Sequence, residues 1–399
     1  MKKRAVSLIL AVLMIFSALA VLAGCGKKAA ARVEDLELEH EQEFGGVYLK
    51  MKIDDFNARG FTYGDSVDVI FSNGYKLEDI PYYNGYYVAA GEPLLIAYPG
   101  YDYIKAAVNY GEDLWDTAEL QAELKAALKA GKAEDLWLSA KLEEHSKGSV
   151  VLREQGKYLD IQEARDIHYY DEREKYETDE EFANFREMMV GALKEKTFYR
   201  SASPCDNQHN RAPYVDALIK RAGINCILNL ADNTLKIDKY IAADGFDSPY
   251  FLSLYKSGKV IPLAMAMNFS ADDFRAKIVQ GFTAMLDQQG PYLVHCTEGK
   301  DRTGFICMLI EALAGASYQE IADDYMKTYD NYYKITEEKD KKKYDIILEM
   351  NLDAMIKAVV GDEKVDIKKA DLKQYARNYL IGAGMPQNKA DQFISMISR

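Results

Sequence analysis

The sequence predicts an α/β chain: a C-terminal parallel-sheet domain flanked by helices, preceded by an additional N-terminal β-rich region. Two patterns carry this. From residue 41 to about residue 110 apolar side chains alternate, with Val47, Leu49, Met51 and Ile53 on one face and Val67, Val69 and Phe71 on another. Period-two alternation marks strands buried on one side. Beyond residue 196 the apolar residues come instead in short continuous runs, 224–230, 259–267 and 292–295, separated by helical patterns. Continuous runs mark strands covered on both faces, and strand–helix–strand order implies parallel pairing.

Taken in order, the chain opens with Lys2, Lys3 and Arg4, an apolar run over 5–23, then Gly24-Cys25. A basic start followed by an apolar core is an export signal. Leu22-Ala23-Gly24-Cys25 resembles a bacterial lipoprotein lipobox. That resemblance implies a signal peptide over 1–24, lipidation of Cys25, a tether over 25–40, and a protein held by acyl chains on the outer side of the cytoplasmic membrane. The length also permits an uncleaved membrane anchor.

Residues 41–165 read as the β-rich domain with one helix. Asn73-Gly74 signals a hairpin turn. The cluster Tyr82, Tyr83, Tyr86 and Tyr87 reads as a strand face before it reads as a ligand platform. Asp116 with Glu119 forms a potential capping box for a helix over 118–130, and Gly131 is a stop. Residues 149–165 look extended again. The charged stretch 166–195 reads as a solvated connector that turns helical over 181–195. The domain over 196–399 follows. Its helices are expected over 214–222, from a Ser270 cap to about 288, and throughout the region after Thr303, including 317–328 and 367–380.

Composition narrows the function. Hydrophobic residues make up 48% of the 399 residues, enough for ordinary globular cores. The net charge of −13 argues against nucleic-acid partners, which need clustered Lys and Arg. Five cysteines without a CxxC pair, and five histidines, give no metal-ligand spacing, and no cofactor is implied. Cys226 and Cys307 lie in apolar runs and are expected to pack, while Cys205 sits in a polar loop.

Chemistry concentrates in Leu293-Val294-His295-Cys296-Thr297-Glu298-Gly299-Lys300-Asp301-Arg302-Thr303-Gly304. A buried strand ends at Cys296 and a helix begins near Arg302. A loop closing into a helix start aims backbone N–H groups at one point and binds an oxyanion there. Such a field favours a thiolate, so Cys296 is the candidate nucleophile. Arg302 is placed to bracket two phosphate oxygens, which a Lys cannot do. Gly299 lets the backbone turn tightly around the anion.

The stretch resembles the phosphate-binding loop of protein tyrosine and dual-specificity phosphatases, in the Gly-Lys-Asp-Arg-Thr-Gly form of a bacterial and fungal subgroup. Phe198-Tyr199-Arg200-Ser201 and Ala222-Gly223-Ile224 leading to Leu228-Asn229-Leu230-Ala231 resemble two further pieces of that subgroup. The resemblance covers about half the chain. It implies phosphate-monoester hydrolysis on phosphotyrosine protein, phosphoinositide or inositol phosphate, through a phosphocysteine. It implies that His295 holds the loop, that Thr297, Glu298, Gly299 and Lys300 line it, and that Thr303 assists turnover of the intermediate. Family members carry a general-acid Asp after the strand preceding the loop. Here that strand reads Leu263-Ala264-Met265-Ala266-Met267-Asn268, which leaves Asp301 and Asp232 as leading candidates, with Asp272 and Asp273 better explained as helix-start charges. Lys300 would suit a substrate with several phosphates, or lie solvated at the rim, and Arg200 and Arg211 would add charge there or pair with carboxylates. The alternatives are a non-catalytic module that binds phosphorylated ligands, and a rhodanese-like sulfurtransferase, against which the Arg302-Thr303-Gly304 ending argues.

Overall fold

A computed structural model describes residues 30–120, 147–269 and 271–399, which fall into two compact units, 1–162 and 163–399. The lipobox with Cys25, most of the helix expected over 118–130, and the Ser270 cap lie outside the described residues. No described helix is long and apolar enough to cross a membrane.

The first unit is a closed barrel. Its strands are β1 (Arg32–Glu41), β2 (Gly46–Lys52), β3 (Ser66–Phe71), β4 (Lys76–Tyr83), β5 (Pro93–Ile96), β6 (Tyr103–Val108) and β7 (Lys147–Glu154), in the order β1-β2-β6-β5-β4-β3-β7. The alternation read from the sequence is the barrel's inside-outside pattern. Val47, Leu49, Val67 and Val69 are fully buried in its core. Strand closure leaves no exposed edge. β1 occupies much of the stretch read as tether, because its charged residues line an outer face while Val33 is buried. Residues 149–165 are not extended throughout: β7 ends at Glu154 and Leu159–Arg165 is helical. Tyr82 and Tyr83 are core residues, as a strand-face reading requires. Asp113, not Asp116, caps the turn Leu114–Thr117 by accepting the Trp115 N–H at 2.8 Å.

The second unit is built on β8 (Arg186–Glu187), β9 (Phe198–Ser201), β10 (Cys226–Asn229), β11 (Val260–Pro262) and β12 (Tyr292–His295), ordered β11-β10-β12-β9-β8. The four longer strands are mutually parallel, and β8 adds an antiparallel edge. Helices cover both faces, which is why these strands read as unbroken apolar runs. On β10 and β12, Cys226, Leu228, Tyr292 and Val294 pack in one core with Phe282, Phe305 and Ile306. Ile227 and Leu293 point the other way, into a core with Val215, Ile219 and Phe251.

Two expectations fail here. The 259–267 run is a strand only over Val260–Pro262, after which the chain leaves the sheet. The stretch 181–195 is not helical. Helix Asp179–Phe182 stops after one turn, Asn184 adopts φ +47, and the backbone extends into β8. Residues 166–195 therefore belong to the second unit and are partly buried within it, with Phe182 and Asn184 fully enclosed.

Parallel strands bring their C-terminal ends to one edge, where α/β folds place their sites. Here that edge gathers the segments following Ser201, Asn229, Pro262 and His295.

Candidate active site

β12 delivers Cys296 at the sheet edge, and the helix Asp301–Leu313 starts five residues later. The Cys296 thiol is free and buried. Between the two elements every backbone carbonyl from Cys296 to Gly299 is held outward. His295 Nδ1 donates to the Cys296 carbonyl at 3.0 Å, and the Ser203 N–H to that of Thr297 at 3.0 Å. The Tyr332 hydroxyl donates to the Glu298 carbonyl at 2.8 Å. The Asn184 amide and the Arg200 guanidinium both reach the Gly299 carbonyl, at 3.1 and 3.2 Å.

In a trans peptide the C=O and the following N–H point in opposite directions. Fixing these four carbonyls turns the N–H groups of Thr297, Glu298, Gly299 and Lys300 to the other side. Among the described residues none of the four donates to a protein acceptor. A crown of free amides at a helix start is an anion site. Gly299 makes the turn possible. It sits at φ +70, and an added Cβ would lie 2.3 Å from the Ser201 carbonyl oxygen.

The side chains agree. Arg302 donates to the Met265 carbonyl at 3.2 Å and to Thr297 Oγ1 at 3.3 Å, while its Nε is buried without a partner among the described residues. Thr303 Oγ1 and His295 Nε2 are buried and unpartnered too. Buried polar atoms are ordinarily satisfied, so such orphans on the two elements that flank the loop suit a polar ligand. Burial pushes the His295 imidazole down to about 4, so at neutral pH it is uncharged.

The rim differs from expectation. Lys300 Nζ lies 3.2 Å from Glu298 Oε2, 3.8 Å from Asp301 Oδ2 and 3.3 Å from the Tyr333 hydroxyl. Burial works against its charge, but Asp301, Tyr333 and Glu298 outweigh it and hold the ammonium protonated. Its charge is thus offset by two carboxylates rather than left solvated. Arg200 and Arg211 are not rim cations. Arg200 is 1% exposed and paired with Asp324 at 2.5 Å; Arg211 is 2% exposed, donates to Asp171 at 2.9 Å and lies over the rings of Tyr169, Phe182 and Tyr332.

Of the acid candidates, Asp301 is the first residue of the loop helix, with a side chain 35% exposed. Asp232 is fully buried beyond β10, paired with Lys236 at 3.0 Å and accepting from Asn229 at 3.1 Å. Asp272 and Asp273 pair with Arg275 and Lys277 on their own helix. Burial pushes the thiols of Cys205, Cys226 and Cys307 up to about 12, which removes them from nucleophilic chemistry at neutral pH.

Several site residues carry no local sequence signal: Asn184, Ser203 and Tyr332 each hold a loop carbonyl, yet they come from segments far apart in the chain. Asp324, behind the loop, pairs with both Arg186 and Arg200.

Residues 258–380, which contain the loop, match the model of the tyrosine phosphatase family. Among solved structures, the core catalytic domain of the PP-IP phosphatase SIW14 from S. cerevisiae, in complex with citrate, is 21% identical. That match covers 45% of this chain and 91% of that one, with a TM-score of 0.26. TpbA from P. aeruginosa is 16% identical over 58% of this chain and 98% of its own, with a TM-score of 0.23. No curated protein matches the chain.

Proposed function

We propose that this chain, in which residues 258–380 match the tyrosine phosphatase family model, hydrolyses phosphate monoesters through a phosphocysteine on Cys296. The observation that carries the reading is that protein donors hold all four carbonyls from Cys296 to Gly299, which, among the described residues, leaves four loop amides without an acceptor beside the buried Cys296 and Arg302 at a helix start. The Cys296 sulfur attacks phosphorus, the S–P bond forms, and the bond to the leaving oxygen breaks as that oxygen takes up a proton. Arg302 and the amides offset charge on the equatorial oxygens. Water then cleaves the S–P bond, releasing phosphate and restoring the thiol.

For the proton donor we favour Asp301 over Asp232. The leaving group faces solvent, and the Asp301 side chain is 35% exposed at the loop whereas Asp232 is enclosed. For the substrate we favour a single aryl phosphate, such as phosphotyrosine in a protein, over an inositol polyphosphate. The motive is the Lys300 charge, already offset by Glu298 at 3.2 Å. A phospho-ligand binding module is the second reading, favoured by the enclosure of Asp232.

The test is steady-state kinetics on the full chain with p-nitrophenyl phosphate, a phosphotyrosine peptide and inositol phosphates. Turnover is expected to survive EDTA, to be blocked by vanadate and to vanish in Cys296→Ser. Asp301→Asn should slow the peptide about 100-fold and the nitrophenyl ester far less, because nitrophenolate departs without a proton. Turnover retained by Cys296→Ser defeats the mechanism. Vanadate binding by wild type with no hydrolysis of any substrate selects the binding module.

A further inference from the structure

Two donors from different elements meet on one carbonyl of the loop. Arg200, on β9, and Asn184, before β8, both donate to the Gly299 oxygen, at 3.2 and 3.1 Å. Each is itself locked. Arg200 gives another guanidinium nitrogen to Asp324 at 2.5 Å, and Asp324 is also held by Arg186 at 2.7 Å. The Asn184 oxygen accepts from Arg186 at 2.7 Å and from Asn331 at 3.0 Å, and its amide also donates to Thr328 at 3.1 Å. The assembly is closed to solvent: Arg200 is 1% exposed and Asn184 fully buried, and the hydrogen bonds of both go to protein partners.

We infer that Arg200 and Asn184 are positioning residues for phosphoryl transfer, which act by clamping the Gly299 carbonyl so that the Lys300 N–H faces the phosphate. This rests on the phosphatase reading. The geometry follows from the trans Gly299–Lys300 peptide: with its oxygen pinned on one side, its N–H is presented on the other. A single donor would leave the peptide free to rock, and two from separate elements fix its plane. Gly299, at φ +70, has no side chain to hold this peptide by itself, so the orientation depends on the partners of its oxygen. Arginine suits the position because one planar fork spans the Asp324 carboxylate and the Gly299 oxygen at once; a lysine is a point donor.

The cluster has an electrostatic side. Burial and the charge of Asp324 push the Glu311 carboxyl well above the usual range, so it is neutral beside Asp324. Two guanidiniums then face one carboxylate, which leaves a net positive charge behind the loop that binds the anion.

The experiment compares full-length wild type, Arg200→Lys, Arg200→Gln and Asn184→Gly by steady-state kinetics with p-nitrophenyl phosphate, by vanadate affinity, and by thermal melting. A misaimed amide weakens the transition state more than the ground state. Arg200→Gln is therefore expected to lower kcat about 100-fold with KM changed less than about 3-fold. Vanadate affinity should fall in parallel, and Arg200→Lys should recover only part of the loss. Asn184→Gly tolerates the positive φ at that position and removes the second donor, so it decides the matter if Arg200→Gln does not fold. Folded variants with kcat and vanadate affinity within about 2-fold of wild type overturn the clamp. If wild type turns over nothing, the phosphatase reading fails, and the vanadate arm still judges the clamp. Wild type that also ignores vanadate overturns both.

Discussion

At Gly299 one methyl group decides whether the loop can close. A Cβ there would sit 2.3 Å from the oxygen and 2.5 Å from the carbon of the Ser201 carbonyl, and Ser201 is the last residue of a central strand. Neither backbone can yield, since β9 is paired to β12 through that very residue. Gly299→Ala is expected to lower turnover and vanadate affinity more than about 100-fold, because misplacement of about 1 Å already costs that much. Variant kinetics near wild type would show that the loop tolerates a different path. His295 supplies a second prediction. Its imidazole titrates near 4 in the folded chain against an ordinary 6.5, chiefly through burial. Below about 6.5 the unfolded chain takes up a proton that the native state refuses. Stability is therefore full above that pH and is lost as pH falls toward 4, by up to about 3 kcal/mol. Carboxylates add their own acid dependence, so the measure is the difference between wild type and His295→Asn in urea midpoints across that window. Parallel pH profiles for the two chains would refute it.

Among the elements, legibility followed burial on both faces. The runs around β10 and β12 could be read as strands because their apolar residues do not alternate with charged ones, and their flanking helices are amphipathic enough to show a period. The helix Asp301–Leu313 shows the reverse. From Thr303 to Leu313 every residue is buried, so it has no polar face, and only the loop motif announces where it starts. Two elements were illegible for electrostatic reasons. β1 reads as Arg-Val-Glu-Asp-Leu-Glu-Leu-Glu-His-Glu, a composition that resembles a solvated tether until a barrel gives its apolar side something to cover. The segment before β8 is dense in Asp, Glu and Arg, which suggests solvent. Yet Arg186 and Asn184 turn inward and are satisfied by Asp324, Thr328 and Asn331, on a helix more than a hundred residues downstream. Local sequence records neither partner. Cys296 and Arg302 lie within one short motif, so the sequence alone brings these two candidates together; the clamp around the motif is not legible there, because it is assembled from three distant segments.

At the level of the whole molecule, the two units have separate hydrophobic cores, the barrel's within 1–162 and the sheet's within 163–399. The position of the cut then matters to function. A fragment beginning at residue 196 keeps Cys296, Arg302 and the entire family match, so sequence alone would pass it as a complete catalytic domain. It lacks Asn184, one of two donors to the Gly299 oxygen, and Arg186, which braces Asp324. It also lacks Phe182, buried against Tyr176 and Tyr332, the last of which holds the Glu298 carbonyl. Removing one partner of a buried ion pair typically costs about 3–5 kcal/mol, and the enclosed aromatic adds to that. A fragment beginning at residue 163 retains all of these. Fragment 163–399 is expected to melt cooperatively and to hydrolyse p-nitrophenyl phosphate within about 3-fold of the full chain. Fragment 196–399 is expected to melt at a lower temperature and to bind vanadate at least about 30-fold more weakly. Equal vanadate affinity in the two fragments would mean that residues 163–195 only cover the domain and take no part in shaping its loop.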